Sequence, residues 1–564
     1  MADKATLKLP DIFRKLLADR GIVGDTAVSA FLHPRLENLP DPKKMKNLTA
    51  ASNLIADYLI AKKRIIVWGD YDVDGTTAAA LLINFFREYG VEVDYHIPNR
   101  LKEGYGINFE WFLDFEIGNS GKNFLLISVD CGSSDHAVIR KIKEIGGDVI
   151  VTDHHELTSK TIPDCIVVNP SQKDCGFNNY NLAGVGVAFY LAAGIKRELQ
   201  LRDNGEWSDM DVKLKKYLCF VALGTVADIV EITEVNRILI RGGIEAIENT
   251  EFVGVNALLE SCGLYTKKIN SEDIGFLLGP KINAAGRLGK PLTVLKLFIE
   301  NDKNKAKKLA EKLSLLNEER KIILSQSLEL ILTKINISQI LHDKCVSVVS
   351  EIHPGVAGIV ASKISDTHGV PTIIFSKKKL ISDDSILYTG SGRSVEGVNL
   401  MKILNFCSEH IEYFGGHEMA AGLTVSADNF AKFKVKFIKS AKAAMDTRKM
   451  GERKKYDIEC SIEDLMTEEY LDILNNFEPF GPGNMRPVFL DNKAKVIDSR
   501  KVGRGGEHLN ITFQGKYANY KGIGFGLGLA LENIQSKPLR STLYTPTKNR
   551  FRGRESWQVR VIDI

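Results

Sequence analysis

Three aspartates stand at alternate positions in Gly69-Asp70-Tyr71-Asp72-Val73-Asp74-Gly75, directly after the apolar run Ile65 to Trp68. Carboxylates that close repel one another, so the arrangement is favourable only where cations neutralise it. Asp130 follows a second apolar run (Phe124 to Val129), Asp153-His154-His155 a third (Val149 to Thr152), and Asp228 a fourth (Phe220 to Ala227). Each run reads as a strand, which sets every one of these groups at a strand end. Hard oxygen donors with imidazole suit Mn²⁺ or Mg²⁺, and a pair of such ions roughly 3.5–4 Å apart makes a hydrolytic centre. An EF-hand loop also begins Asp-x-Asp-x-Asp-Gly, but position 12 counted from Asp70 is Leu81, where that loop needs a bidentate glutamate. The adjacent histidines divide the work between ligation and support, with Asp153 available to orient a ring.

A second set is basic: Pro98-Asn99-Arg100, Asn283-Ala284-Ala285-Gly286-Arg287 and Gly390-Ser391-Gly392-Arg393-Ser394. These segments read as glycine-rich turns, as do His353 to Gly358 and Gly415-Gly416-His417. Glycine lets backbone N–H groups approach a phosphate, and arginine grips its oxygens two at a time. Beside an acidic centre, that is a way to hold a phosphate ester.

The elements that must carry these groups follow from the hydrophobic pattern. Residues 1–47 read as a short helical segment. From 48 to 300, β-rich runs alternate with helical ones, which predicts a parallel sheet covered on both faces, with ligands beyond the carboxyl ends of its strands. From Asn301 to Ile335 there is no Gly or Pro, and apolar residues recur at helical spacing. A single connecting helix over 301–338, about 50 Å long at 1.5 Å per residue, bridges two domains more readily than a coiled coil does, since the stripe lacks sustained heptads. A second α/β unit spans 339–447. From 455 to 564, short strands with glycine-rich and basic turns predict a Greek-key barrel such as an OB-fold.

At 564 residues the chain exceeds one core, and its 44% hydrophobic and 26% charged residues are those of a globular protein. The net charge of +4 is unevenly spread. Residues 500–564 hold 12 Lys and Arg against 4 Asp and Glu, a net +8 on a body of about −4, which suits a polyanionic ligand. The eight cysteines show no Cys-x-x-Cys spacing, which points to reduced thiols. The first ten residues lack the apolar run of a signal peptide, and the longest apolar stretch, Leu182 to Ile195, is too short to span a bilayer. A cytoplasmic protein is expected.

In these motifs the chain resembles the DHH phosphoesterase superfamily, whose defining motif stands here as Asp153-His154-His155, and within it the single-stranded-DNA-specific exonucleases. The likeness runs nearly end to end, through Phe31 to Arg35, Gly69 to Gly75, Gly104-Tyr105-Gly106, Val129 to Gly132, Leu182 to Tyr190, Ala222 to Asp228, Asn283 to Leu288, Ser391 to Arg393 and Gly415 to Gly422. Pro479 to Asn484 and Gln558 to Asp563 resemble the two ends of that family's OB-fold. The resemblance implies a parallel-sheet DHH domain, a connecting helix, a DHHA1 domain and an OB-fold. It implies metal ligands at Asp72, Asp74, Asp130, His154 and Asp228, supported by Asp70 and His155. A 5′-phosphate pocket would draw on Arg100, Arg287, Ser391 and Arg393, with His353 and His417 lining the cleft and Tyr105 stacking on a base. Two departures are Ile352, where the family commonly has Trp, and Ser133, where it usually has Ile; both bear on packing or base contacts. The chain also ends with the OB-fold, so no further C-terminal partner domain is expected.

The function expected is 5′→3′ hydrolysis of single-stranded DNA to 5′-mononucleotides or short products, in DNA repair and recombination. The ions would supply an activated water, and a cleft too narrow for duplex would select single strands. Nothing in the sequence demands more than a monomer, a single-strand-binding protein and a RecQ-type helicase are the candidate protein partners, and no membrane contact is expected. Rival readings are a nano-RNA or cyclic-dinucleotide phosphodiesterase or a pyrophosphatase, which lack the basic C-terminal module, and a non-catalytic replication scaffold, which would have lost ligands.

Overall fold

The computed structural model describes residues 9–114, 123–157, 161–202, 207, 210–379, 386–448, 456–503, 505–537, 539–551 and 554–564. Most of the N-terminal stretch weighed as a signal peptide, residues 1–8, lies outside the described residues.

The first sheet consists of β1 (Arg64–Gly69), β2 (Asp94–His96), β3 (Phe124–Val129), β4 (Gly147–Thr152) and β5 (Ile166–Val168), all parallel, in the order β2-β1-β3-β4-β5. Alternate residues of its strands enter two cores. Ile65, Val67, Leu125, Ile127 and Ile150 join the large core under the helices, while Ile66, Trp68, Leu126, Val149 and Val151 pack on the opposite face. Both faces are covered, which is why the strands read as continuous apolar runs rather than as alternation.

The second sheet, β6 (Val346–Ser350), β7 (Thr372–Lys379), β8 (Ile386–Arg393), β9 (Tyr413–Gly416) and β10 (Ala420–Ser426), runs β6-β7-β8-β10-β9 with only β6 and β7 parallel. The helix Lys303–Leu332 joins the two lobes. Its first half buries Ala306, Ala310, Leu313 and Leu316 in the core of the first lobe, and its second half buries Leu324 and Ile331 in the second. Two successive partners along one helix, rather than a second helix, account for the irregular apolar stripe. At 30 residues it spans about 45 Å.

The C-terminal strands are β11 (Ile458–Glu459), β12 (Phe489–Val502), β13 (His508–Gln514), β14 (Asn519–Gly524), β15 (Leu539–Phe551) and β16 (Arg554–Asp563). Pairing of β12 with β15 closes a barrel in the order β12-β13-β14-β16-β15, consistent with an OB-fold. The N-terminal helices Asp11–Ala18 and Asp25–Leu32 have no core of their own. Phe13, Leu16, Leu17 and Leu32 pack into the same cluster as Leu471, Leu474, Phe477 and Phe489, so the two ends of the chain share one core. Among the described residues no helix is long and apolar enough to cross a membrane.

Two expectations about local structure are corrected. Asp228 does not end a strand: Leu218–Ala227 is a helix, buried almost all round, and Asp228 is its C-cap. A helix apolar on every face and a buried strand give the same run of residues, so periodicity could not separate them. Three of the supposed phosphate turns are not turns either, although Pro98 to Arg100 does lie in a turn and His417 in the connection between β9 and β10. Arg287 closes the helix Gly279–Arg287, His353 caps the helix Pro354–His368, and Gly390 to Arg393 lie in β8. Their glycines serve the contact between elements: a Cβ on Gly286 would lie 2.4 Å from the Tyr71 carbonyl oxygen, and one on Gly355 2.0 Å from that of Arg287. Of the two readings left open for Ile352, the structure favours packing, since it is buried in the core against the connecting helix.

Candidate active site

The parallel sheet delivers three of the acidic groups to one edge. Asp70 follows β1, Asp130 follows β3 and Asp153 follows β4, with register pairing Gly69 to Val129 and Val129 to Thr152. Asp72 is the N-cap of the helix Val73–Glu88, where its Oδ1 accepts the Gly75 N–H at 3.1 Å, and Asp74 lies in the first turn. Asp74 is fixed from across the lobe. Its two oxygens accept the N–H groups of Gly184 (2.6 Å) and Val185 (2.8 Å), at the start of the helix Gly184–Arg202. Asp228 arrives from the buried helix before it.

These groups converge. Asp70, Asp72 and Asp130 form one set, Asp74, His154 and Asp228 a second, and Asp130, His154 and His155 a third, the donor atoms of each set lying within 4.8 Å of one another. His154 Nε2 lies 3.2 Å from Asp130 Oδ1, 3.5 Å from Asp228 Oδ2 and 3.7 Å from Asp74 Oδ2. Yet His154 Nε2 and Asp130 Oδ1 are buried without a hydrogen bond, as is Asp70 Oδ1. Buried acceptors grouped this way and lacking donors are the lining of a cation site. The donor set of carboxylate oxygens and one imidazole fits Mn²⁺ or Mg²⁺.

The electrostatics say the same. Burial, with Asp72 beside it, pushes the Asp74 carboxyl up to about 7, and burial with Asp74 and Asp72 pushes Asp228 up to about 9. Asp70 and Asp130 are raised well above the carboxylate range, again by burial first and then by neighbouring aspartates. Without cations this centre holds protons. The two histidines separate. Burial and the charge of His155 bring His154 down to about 4, leaving a neutral ring with a free lone pair. His155 is raised to about 9: burial opposes its charge, but the Asp153 carboxylate 2.7 Å from its Nδ1 outweighs that. Asp153 is held down to about 2 despite burial, by His155, His154 and the Ser133 side chain, and its Oδ2 accepts the Ser133 N–H at 3.1 Å.

The support network reaches Asn169, which sequence reasoning did not single out, and gives Ser133 a hydrogen-bonding role in place of the packing or base contact expected of it. Asn169 Nδ2 donates to Ser133 Oγ (3.1 Å) and to the His155 carbonyl (3.0 Å), tying β5 to the DHH segment. Asn169 directly follows β5, so the rule that found Asp130 could have found it. Ser133 places a hydroxyl in this network, where an apolar side chain would leave Asn169 short of a partner.

Arg100, Arg287, Arg320 and Arg393 form the second cluster. Burial and then the charges of Arg100, Arg320 and Arg393 bring Arg287 down to about 10, and Asp72 partly offsets this, so the arginines and the acidic centre feel each other's charge. None of the four guanidinium groups pairs with a carboxylate among the described residues. Arg287 Nη1 donates to the Gly355 carbonyl (3.3 Å), Arg393 Nη1 to that of Gly392 (2.7 Å), and Arg100 lies 5.2 Å from the Tyr71 ring. Arg320, on the connecting helix, has a buried Nε with no partner; its place there could not be read before the two lobes were assembled. Ser391 sits two residues before Arg393 on β8. His353 spends its Nδ1 accepting the Gly355 N–H at 3.1 Å, and the exposed His417 is near enough to His154 to repel its protonated form. Tyr105 is 55% exposed and stands edge-on to Tyr71 and His155.

Comparison with known proteins matches residues 64–225 to the DHH family N-terminal domain, 342–443 to the DHHA1 domain and 456–563 to the RecJ OB domain. The single-stranded-DNA-specific exonuclease RecJ of Haemophilus influenzae is 32% identical over 93% of this chain and 92% of its own; that of Escherichia coli K12 is 32% identical over 99% and 96%. A crystal structure of Thermus thermophilus RecJ in complex with Mn²⁺ superposes with a TM-score of 0.78 at 27% identity, covering 99% of this chain and 78% of that one. An exonuclease RecJ bound to manganese gives 0.58 at 31% identity over 71% of this chain and 95% of that one. With a matching domain in each of the three lobes and relatives aligned over nearly their whole length, the chain belongs to the RecJ family.

Proposed function

We propose that this chain is a single-stranded-DNA-specific exonuclease that hydrolyses phosphodiester bonds from the 5′ end with Mn²⁺ or Mg²⁺, in DNA repair and recombination. The observation that carries the reading is the nearness of two unsatisfied clusters: buried carboxylate oxygens of Asp70 and Asp130 without a hydrogen-bond donor, and an arginine cluster that feels the charge of Asp72 yet pairs with no carboxylate among the described residues. A phosphorylated strand end with divalent ions completes both.

In this reading Asp72, Asp74, Asp130, His154 and Asp228 hold the ions, and Asp70 and His155 stand close behind. Bound ions of this kind supply an activated water and neutralise charge developing on the scissile phosphate and leaving oxygen. The residues do the rest. Neutral His154 offers its lone pair, while Asp153 keeps His155 protonated and the ring fixed. Arg393, Arg287 and Arg100, with Ser391, bind the terminal phosphate and so set which end is cut. His353 and His417 line the cleft, and Tyr105 faces a base. The basic barrel holds the strand downstream through phosphate contacts and stacking. A monomer working in the cytoplasm with a single-strand-binding protein and a RecQ-type helicase completes the proposal; unpaired cysteines at all eight positions support the compartment.

The test is to incubate the protein with Mn²⁺ and 5′- or 3′-labelled single strands and duplexes. Early release of the 5′ label in short products, with duplex left intact, is the expected result. Digestion from the 3′ end, or of duplex at equal rate, would overturn it.

A further inference from the structure

Arg100 stands in a turn that follows the edge strand β2, and three residues later the same turn carries a carboxylate, Glu103. The turn is closed by the Asn99 carbonyl, which accepts the N–H groups of Lys102 (3.0 Å) and Glu103 (2.7 Å). Residues three apart on such a turn are neighbours, so a free Glu103 would be the anion closest at hand for Arg100 and would compete with an incoming phosphate. It is not free. Its Oε1 accepts the Asn99 N–H at 2.7 Å, and its Oε2 lies 2.8 Å from His96 Nε2. The His96 ring packs against Trp68 (4.6 Å between ring centres) and Trp111 (5.0 Å). Burial lowers its pKa although Glu103 opposes this, so the ring is neutral and gives its one N–H to the carboxylate.

Asn99 makes a second link. Its side-chain Oδ1 accepts the Leu101 N–H (3.0 Å), which shapes the turn, and its Nδ2 donates to the Gly289 carbonyl (2.9 Å). Gly289 stands just beyond the helix that Arg287 closes. Its φ of +69°, and the 3.1 Å that a Cβ there would lie from Asn99 Oδ1, keep larger side chains out of this contact. One amide therefore ties the turn of Arg100 to the helix end of Arg287. The charge of Arg100 bears on both Arg287 and Arg393, so the three guanidinium groups stand near one another. Like charges this close drift apart unless their backbones are held.

We propose that Asn99, Glu103 and His96 are positioning residues for the terminal phosphate: the Asn99 amide sets the spacing of Arg100 from Arg287, and His96 keeps the Glu103 carboxylate from taking the place of the phosphate at Arg100. This rests on the exonuclease reading. It supplies the reason that Arg100 stays unpaired beside a carboxylate, which is that both oxygens of that carboxylate are already engaged.

The test uses the full-length protein with Mn²⁺ and single strands ending in a 5′-phosphate or a 5′-hydroxyl, and reads the ratio of kcat/KM between the two ends. His96→Leu frees one Glu103 oxygen and lowers that ratio about tenfold, through KM with kcat little changed, the size of one lost charge-assisted contact. Adding Glu103→Gln to His96→Leu restores most of the ratio, because a neutral amide does not neutralise Arg100. A merely structural loss would be deepened by the second substitution, not repaired. Asn99→Ser keeps an oxygen for the Leu101 N–H but is too short to reach Gly289, and it raises KM several-fold on 5′-phosphorylated ends alone. That variant carries the test if His96→Leu does not fold. Mn²⁺ affinity, measured by calorimetry, is unchanged throughout. Equal losses on both ends, no repair by Glu103→Gln, or a ratio that no variant alters would overturn the positioning role. A wild type that cuts both ends equally well would instead count against the terminal-phosphate contact and this proposal with it, and one that cuts no single strand against the exonuclease reading as a whole.

Discussion

The acidic centre and the arginine cluster are both groups of like charges crowded together within reach of each other's charge, but they meet the crowding differently. Carboxylates can take up protons, and these do, Asp74 rising to about 7 and Asp228 to about 9. Guanidinium groups cannot give theirs up at neutral pH; even Arg287, brought down to about 10, stays charged. The acidic centre is therefore conditional, set by the competition between protons and divalent ions. The arginine cluster demands an anion at any physiological pH. One half of the site is switched by its solution and the other is not.

The largest expected effect comes from removing a group unique to the acidic half. Asp72→Ala should lower kcat by about 10³-fold or more, in line with the several kcal/mol that metal charge stabilisation supplies, while the affinity for single-stranded DNA stays within about threefold. Single-turnover cleavage and anisotropy titration together check this. Equal losses in both would mean that the two clusters are not separable.

Next comes the anion half. Arg393→Ala should reduce kcat/KM about 100-fold on 5′-phosphorylated ends and far less on 5′-hydroxyl ends, as expected for one charge-assisted contact to a phosphate. An equal loss on both ends would show the arginines to be general backbone contacts.

The support network predicts a smaller change. Asp153→Asn removes the charge that holds His155 protonated and should weaken Mn²⁺ binding about 10- to 100-fold, the usual cost of losing a hydrogen-bonded support behind a ligand. Calorimetric titration with Mn²⁺ measures it.

The pH dependence sharpens the comparison. A carboxyl whose value in the fold lies above its unfolded one contributes stability at low pH that is lost as pH rises through the raised value. For Asp74 and Asp228 that loss runs from about 4 up to about 9 in the ion-free protein. Asp153, held down to about 2, acts in the opposite sense, its contribution present above about 4 and lost as pH falls towards 2. Mn²⁺ replaces the protons, so its stabilisation should grow with pH, with affinity falling about tenfold per unit below about 7 where one proton is displaced. Thermal melts with and without Mn²⁺ at pH 6 and 8.5 should diverge more at the higher pH. Inorganic phosphate, which binds the arginine half, should show no comparable trend between these values beyond its own ionisation.

Much of the acidic half was legible in the chain because a parallel sheet places the residues following β1, β3 and β4 along one edge. Asp70, Asp130 and Asp153 follow from that rule, and Asp72 and Asp74 from their spacing. Asp228 was found by its apolar run, although that run is a helix; the run marked burial and left the element type open. The arginine segments were legible as residues but not as structure. Their glycines read as phosphate turns because glycine allows both a turn and a close approach of backbones, and only packing shows which. Asn169 was missed, and Ser133 was noticed only as a departure in packing or base contacts, because a neutral side chain carries no charge pattern to mark its hydrogen-bonding role.

The sequence by itself determined the covered parallel sheet, the long connecting helix, the closing barrel and the residue types able to hold divalent ions, since these depend on local periodicity and on the chemistry of single side chains. Tertiary structure alone decided that His154 faces three carboxylates while His155 is bound to Asp153, that Arg320 joins the guanidinium cluster from the connecting helix, and that the two chain ends share a core. Those outcomes depend on distances between residues far apart along the chain, and no local pattern encodes a distance.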